Sequence, residues 1–137
     1  SNAPSDRAIF NIEFSVNSDV SSMSTVKRNV DQIIWSLSID GDPSAANTPI
    51  FPPFDVINGV PFADHSFGDE NTDQGAGMEA TDSPSYDSLR ATNNVAQNSI
   101  NLGFPFLMVA NPQAPGVYTV ELSGTVVGGP TIGRAHV

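Results

Sequence analysis

The sequence predicts an all-β domain, an antiparallel two-sheet β-sandwich of jelly-roll-like type with long loops. Short runs alternate apolar with polar residues, the period of a half-buried strand. Turn-forming residues punctuate those runs, with 11 Gly and 11 Pro in a chain of 137 residues. No stretch carries a persuasive apolar stripe at helical spacing. Half-exposed alternation suits sheets packed face to face, and the prolines and long crossings favour a sandwich over a regular closed barrel.

Phe10, Ile12, Phe14 and Val16 share one face of the first run, with Asn11, Glu13 and Ser15 on the other. Residues 17–25 are Ser-rich and break it. Asn29-Val30-Asp31-Gln32 could hold a helical turn, but Ile33, Trp35, Leu37 and Ile39 then alternate. Their β-branched and aromatic content assigns 26–39 to strand. Trp35 belongs to the core by this pattern, and Asp40-Gly41-Asp42-Pro43 ends the strand.

Residues 44–62 are divided by prolines and read as an extended edge strand or a covering loop, with Phe51, Phe54, Val56, Val60 and Phe62 over the core. Asn58-Gly59 has the composition of a hairpin turn. The spacing Pro49-Ile50-Phe51-Pro52 would suit a polyproline ligand, but it lacks flanking Arg or Lys.

Beyond an acidic loop at 63–82, Asn93 to Asn98 reads as a polar connection. Ile100 to Phe104 alternates again and runs into an apolar stretch bent at Pro105. Asn111-Pro112-Gln113-Ala114-Pro115-Gly116 is a turn. The run from Val117 to Val127 is the last good strand, and a short terminal strand through Ile132 can follow Gly128-Gly129-Pro130.

Pro115-Gly116-Val117-Tyr118-Thr119-Val120-Glu121-Leu122-Ser123-Gly124 resembles the closing strand of many bacterial extracellular β-sandwich modules. The resemblance implies a sandwich in an exported protein and assigns no functional residue. Residues 4–137 make one domain, large enough for one core, and Ser1-Asn2-Ala3 reads as the remnant of an expression tag.

Composition narrows the partners. The net charge is -10 and the sequence pI about 4.1, with Lys27, Arg7, Arg28, Arg90 and Arg134 the only basic side chains besides His. Such a surface repels a nucleic-acid backbone and anionic lipid. No apolar run reaches the roughly 20 residues that cross a bilayer as helix, so membrane insertion is not expected. With no Cys, disulfides and thiolate chemistry are excluded. A Lys-poor chain rich in Asn, Ser, Thr, Gly and Asp suits a secreted, periplasmic or cell-surface setting.

Between Arg28 and Arg90 there are eleven acids and no Lys or Arg: Asp31, Asp40, Asp42, Asp55, Asp64, Asp69, Glu70, Asp73, Glu79, Asp82 and Asp87. Convergent carboxylates, amides and carbonyls would suit Ca²⁺. Asp69, Asn71 and Asp73 match the first, third and fifth positions of a helix-loop-helix calcium loop, but Gln74 and Ala80 stand where Gly and Glu are required. The metal expectation is therefore an irregular calcium loop built from Asp69, Asn71, Asp73 and Glu79, with Asp64 or Asp82 contributing. Asp40 and Asp42 form a smaller candidate that reads better as a plain turn. Nearby carboxylates would favour protonated His65.

Catalytic patterns are thin, and no catalytic residue is assigned. Ser24-Thr25-Val26-Lys27 matches S-x-x-K without its usual companions, and no G-x-S-x-G occurs. Glycan recognition needs aromatic faces beside Asn, Asp and Gln, which points to Tyr86, Asp87 and Phe67 as ligand-binding residues. The expected function is a non-catalytic binding module for glycan or a surface protein. A structural or assembly domain of an envelope or surface protein is the alternative, and a small hydrolase the third.

Overall fold

The computed structural model describes residues 7–8, 10–20, 28–41, 44, 51–107 and 111–136. The expected tag remnant at 1–3, the S-x-x-K spacing at 24–27, Asp42, Pro49, Ile50, Met108 and Val109 lie outside them. So do the side chains of Phe51 and His136.

The chain forms β1 (Asn11–Asn17), β2 (Ile33–Asp40), β3 (Phe51–Asp55), β4 (Ser66–Gly68), α1 (Ser83–Thr92), β5 (Val95–Asn101), β6 (Thr119–Val126) and β7 (Thr131–His136). The strand pairings among the described residues are antiparallel. They build a three-stranded sheet in the order β1-β5-β4 and a four-stranded sheet in the order β3-β2-β6-β7. The chain changes sheet after β1, β3 and β5, as expected of a jelly-roll-like sandwich.

The β2–β6 ladder is continuous from Ile33 opposite Val126 to Asp40 opposite Thr119. Its alternation buries Ile33, Trp35, Leu37 and Ile39 on one strand and Val120 on the other. Trp35 stands opposite Gly124, where a Cβ would come within 2.8 Å of the indole, so glycine makes room for the ring. The Trp35 Nε1–H donates to the Val30 carbonyl at 2.9 Å, so the indole is buried without an orphan donor. From the other sheet, Val16, Phe67, Ala96 and Ile100 meet this layer, with Ile12 and Phe14 packed alongside. Each such side chain fully removed from water contributes about 1.5–3 kcal/mol.

Four local expectations are corrected. Residues 30–32 form a 3₁₀ turn, boxed by Asn29 and Gln32, and β2 begins at Ile33 rather than earlier. Residues 93–98 are not a connection, because β5 starts at Val95 and is the central strand of its sheet. Its apolar alternation is interrupted by Asn98, which shares the side of Ala96 and Ile100 and acts as a hydrogen-bond hub.

A helix, α1, occupies 83–92. Asp82 caps it by accepting the Ser85 N–H at 2.8 Å, and Ser85 Oγ accepts the Asp82 N–H in return. Pro84 sits in the first turn, where its missing N–H costs nothing. Only Tyr86 is buried and Leu89 half-buried, too short a stripe to register as amphipathic.

Asn58-Gly59 is not a hairpin turn, since β3 and β4 belong to different sheets. Asn58 instead joins elements. Its Nδ2 donates to the carbonyls of Val30 and Ile33, and its Oδ1 accepts Arg90 Nη1 at 2.7 Å. Three further expectations give way: β4 lies within the expected loop at 63–82, the run from 100 to 104 leaves the strand after Asn101 for a turn and a 3₁₀ helix at Pro105–Leu107, and Phe10 stands exposed ahead of β1. The proline-bearing segment supplies the edge strand β3, and the terminal strand forms as β7, reaching His136.

Candidate functional site

The outward side of the three-stranded sheet is polar by register. Glu13 pairs with Ser99 and Ser15 with Gln97, and Ser66 lies against Gln97 from the other edge. These five alternate with the core residues Ile12, Phe14, Ala96 and Phe67, so all face the same outward way. The loop after β4 folds back over this surface. Phe67 and Met78 exchange backbone hydrogen bonds at 2.9 and 2.8 Å, which returns the chain beside β4.

Gln97 Oε1 accepts the Gly75 N–H at 3.0 Å and Ser66 Oγ the Gly77 N–H at 2.9 Å. Gly75, at φ 75°, takes the left-handed backbone that the reversal needs. Between this loop and β1 lies a groove of about 580 Å³. Carboxylates from Glu13, Asp64 and Glu79 and amides from Gln74, Gln97 and Asn98 line it, with no Lys or Arg among the described residues.

At one end of the groove stands a chain of hydrogen bonds running into the core. Asn98 Nδ2 donates to Asp64 Oδ1 at 2.9 Å and to His65 Nδ1 at 2.8 Å. The opposite ring atom, His65 Nε2, meets the Val56 carbonyl at 2.9 Å, which fixes the neutral tautomer with its proton on Nε2. His65 is 3% exposed and ringed by Phe14, Phe67 and Tyr86, with centroids at 5.7, 6.0 and 6.0 Å. Burial holds the imidazole below its ordinary pKa, against the opposing pull of the Val56 carbonyl and Asp64. The expectation of a protonated His65 among carboxylates is thus corrected: desolvation outweighs the neighbouring charge.

The aromatic candidates from the sequence lie inside. Tyr86 is 0% exposed, its hydroxyl donates to the Ile57 carbonyl at 2.6 Å, and the same burial pushes its pKa up. Phe67 is also fully buried, with its ring 5.6 Å from that of Tyr86. Neither presents a face on which a sugar could stack, because the helix delivers Tyr86 to the core and β4 delivers Phe67. Asp87 is exposed on α1 and pairs with Arg90 at 2.6 Å, away from the groove lining.

The acidic-loop residues are also distributed. Asp69 Oδ1 accepts the Asn71 N–H and the Thr72 hydroxyl, so its carboxylate shapes its own turn. Asp73 offers its backbone carbonyl to Ala76 N–H. Glu79 lines the groove, whereas Asp69, Asn71 and Asp73 do not. Among the described residues, no three His, Asp or Glu side chains converge in a metal-holding group.

The residues that sequence reasoning missed are Glu13, Gln97, Asn98 and Ser99. The signal for three of them was present as the outward half of a strand alternation, once 95–101 is recognised as strand. No family model, curated protein or solved structure matches the chain.

Proposed function

We propose that the domain is a non-catalytic binding module of an exported bacterial protein and that its outward groove takes a neutral glycan. One observation carries the reading: a concavity of about 580 Å³ lined by carboxylates, amides and hydroxyls, with no basic side chain among the described residues. Carboxylate and amide oxygens accept from sugar hydroxyls, amide N–H groups donate to them, and the rigid sheet beneath fixes their spacing. Acidic sugars are disfavoured by Glu13, Asp64 and Glu79, and by the net charge of -10. The Lys-poor composition supports the exported setting.

An array of neutral, amino-bearing and acidic glycans tests the reading. Binding to a neutral subset is expected, weakened at least tenfold by Glu79→Gln, which keeps the side-chain shape and removes one acceptor charge. Failure to bind any neutral glycan, or binding indifferent to Glu79→Gln and Gln97→Ala together, would overturn it.

The assembly reading has one observation of its own. The four-stranded sheet ends on β7, with Val127 and Ile132 largely exposed beside that edge. Light scattering across a concentration series would favour assembly if mass rises and Ile132→Lys reverses it.

A further inference from the structure

The inner side of the same hydrogen-bond chain faces a second concavity of different chemistry. Where the chain crosses from β3 to β4, a cleft of about 600 Å³ opens between the sheets. Its walls are apolar: Phe54 and Val56 from the β3 side, Val60 and Phe62 from the crossing, Phe104 and Phe106 beyond β5. Phe54 and Phe106 meet edge to face at 6.2 Å. Phe62 and Phe106, both lining the cleft, remain 45% and 51% exposed.

The polar groups are confined to one end, where Asp64, His65, Asn98 and Ser99 line the cleft. Both ring nitrogens of His65 are engaged, and Asn98 Nδ2 is shared between His65 and Asp64. Asp64 is exposed and accepts from Asn98 through Oδ1, so its carboxylate keeps acceptor capacity for a ligand in the cleft it lines. Among the described residues, no Lys or Arg lines the cleft. Arg7 lies over the Phe104 ring and donates to the Gly103 carbonyl.

A volume of this size, aromatic walls and a few polar groups at one end are the attributes of a small-molecule site. The charge decides the class. An anionic amphiphile would bring its head group against Asp64 in a protein already at -10, whereas a neutral or cationic donor would find an acceptor there.

We propose that the cleft binds a small apolar molecule with a neutral or cationic N–H or O–H end, its body among Phe54, Phe62 and Phe106 and its donor on Asp64, and that it rejects carboxylate or sulfonate amphiphiles. The cleft borders the groove through Asp64, Asn98 and Ser99, but its ligand class and its test stand apart from the glycan reading.

Two fluorescent probes of nearly equal body and opposite head test it: N-phenyl-1-naphthylamine, which is neutral and carries an N–H, and 1-anilinonaphthalene-8-sulfonate. The neutral probe should bind saturably, one per chain, at least tenfold tighter than the sulfonate. Asp64→Asn should shrink that preference several-fold. Val60→Trp should fill the cleft and abolish binding. Should Val60→Trp fail to fold by circular dichroism, Phe106→Ser on the exposed rim serves instead, with an expected tenfold or greater loss. The proposal is overturned by no saturable binding of the neutral probe, by equal affinity for the sulfonate, or by binding that survives the cleft variants.

Discussion

In the four-stranded sheet, β2 and β6 pair over eight residues and turn Ile33, Trp35, Leu37, Ile39 and Val120 into the core. In the three-stranded sheet, β4 contributes three residues, and the central strand carries Asn98 on the side of Ala96 and Ile100. Around that sheet the buried positions include His65, Asn94 and Asn101, each tied by side-chain hydrogen bonds. Asn101 alone binds the N–H and C=O of Ala8 and the N–H of Gly103. One half of the sandwich is held mainly by apolar burial, with Asp40 at the end of β2 as its buried acidic residue. The other relies on satisfied polar groups, which are costly to bury and therefore specify geometry. The groove and the cleft both border the second half and share Asp64, Asn98 and Ser99.

The largest expected effect breaks the apolar half. Trp35→Ala removes a buried ring packed across Gly124 and leaves the Val30 carbonyl with one donor fewer. Truncations of this kind cost about 3–5 kcal/mol. Urea unfolding followed by circular dichroism should show that loss with little change in slope. A cost below about 1 kcal/mol, against the usual range for large core truncations, would mean that the β2–β6 layer is not the main source of stability.

The next effect belongs to the polar half and appears with pH. His65 is buried neutral, its folded pKa lowered below the ordinary value. In the unfolded chain it takes up a proton near pH 6.5, so the unfolded state binds more protons just below that pH. Stability is therefore fully present above about 6.5 and falls as pH drops below it, at most by about 1.4 kcal/mol per unit. The charged neighbours are Asp64, which opposes the shift, and Arg90, which lies over the Tyr86 ring that packs on His65.

Protonation would also place an Nδ1–H against the Asn98 Nδ2 donor. Between pH 7 and 5.5 the wild type should lose stability faster than His65→Gln. His136 is present in both proteins, so the difference isolates His65. Parallel profiles would show that the polar half is not pH-sensitive through this group.

The same contrast explains what was legible. Strands whose inward residues are all apolar, such as β1 and β2, announce themselves by alternation. β5 does not, because Asn98 sits on the inward side, where its value lies in the bonds to His65 and Asp64 rather than in hydrophobicity. Tyr86 and Phe67 lie among polar and acidic residues in the sequence, which suggests exposure. Only the fold shows that a capped helix and a three-residue strand carry them inward. The metal expectation had the same origin. Proximity in sequence suggested convergence; in the fold Asp69 Oδ1 accepts within its own turn and Glu79 lines the groove, which leaves the calcium expectation untested. Asp82, Pro84 and Ser85 start and cap α1, but the apolar stripe behind them is too brief to announce a helix.

The smallest expected effect tests how α1 is held. The Asp82 carboxylate is fully exposed, and the Ser85 N–H, then the Ser85 side chain, hold its pKa below the ordinary carboxylate value. A lowered pKa means its contribution is present above the unfolded value near 3.9 and is lost as pH falls through the folded one. Asp82→Ala should lower the melting midpoint at neutral pH by less than either change above, while Asp82→Ser, which keeps a capping oxygen, should recover most of the loss. The gap between wild type and Asp82→Ala should narrow as pH drops below the carboxylate range. Because α1 delivers Tyr86 to the Ile57 carbonyl and Arg90 to Asn58, a fraying first turn would loosen the wall beside His65. A gap that stays constant with pH would place the effect of Asp82 in helix propensity and leave the cap without a role.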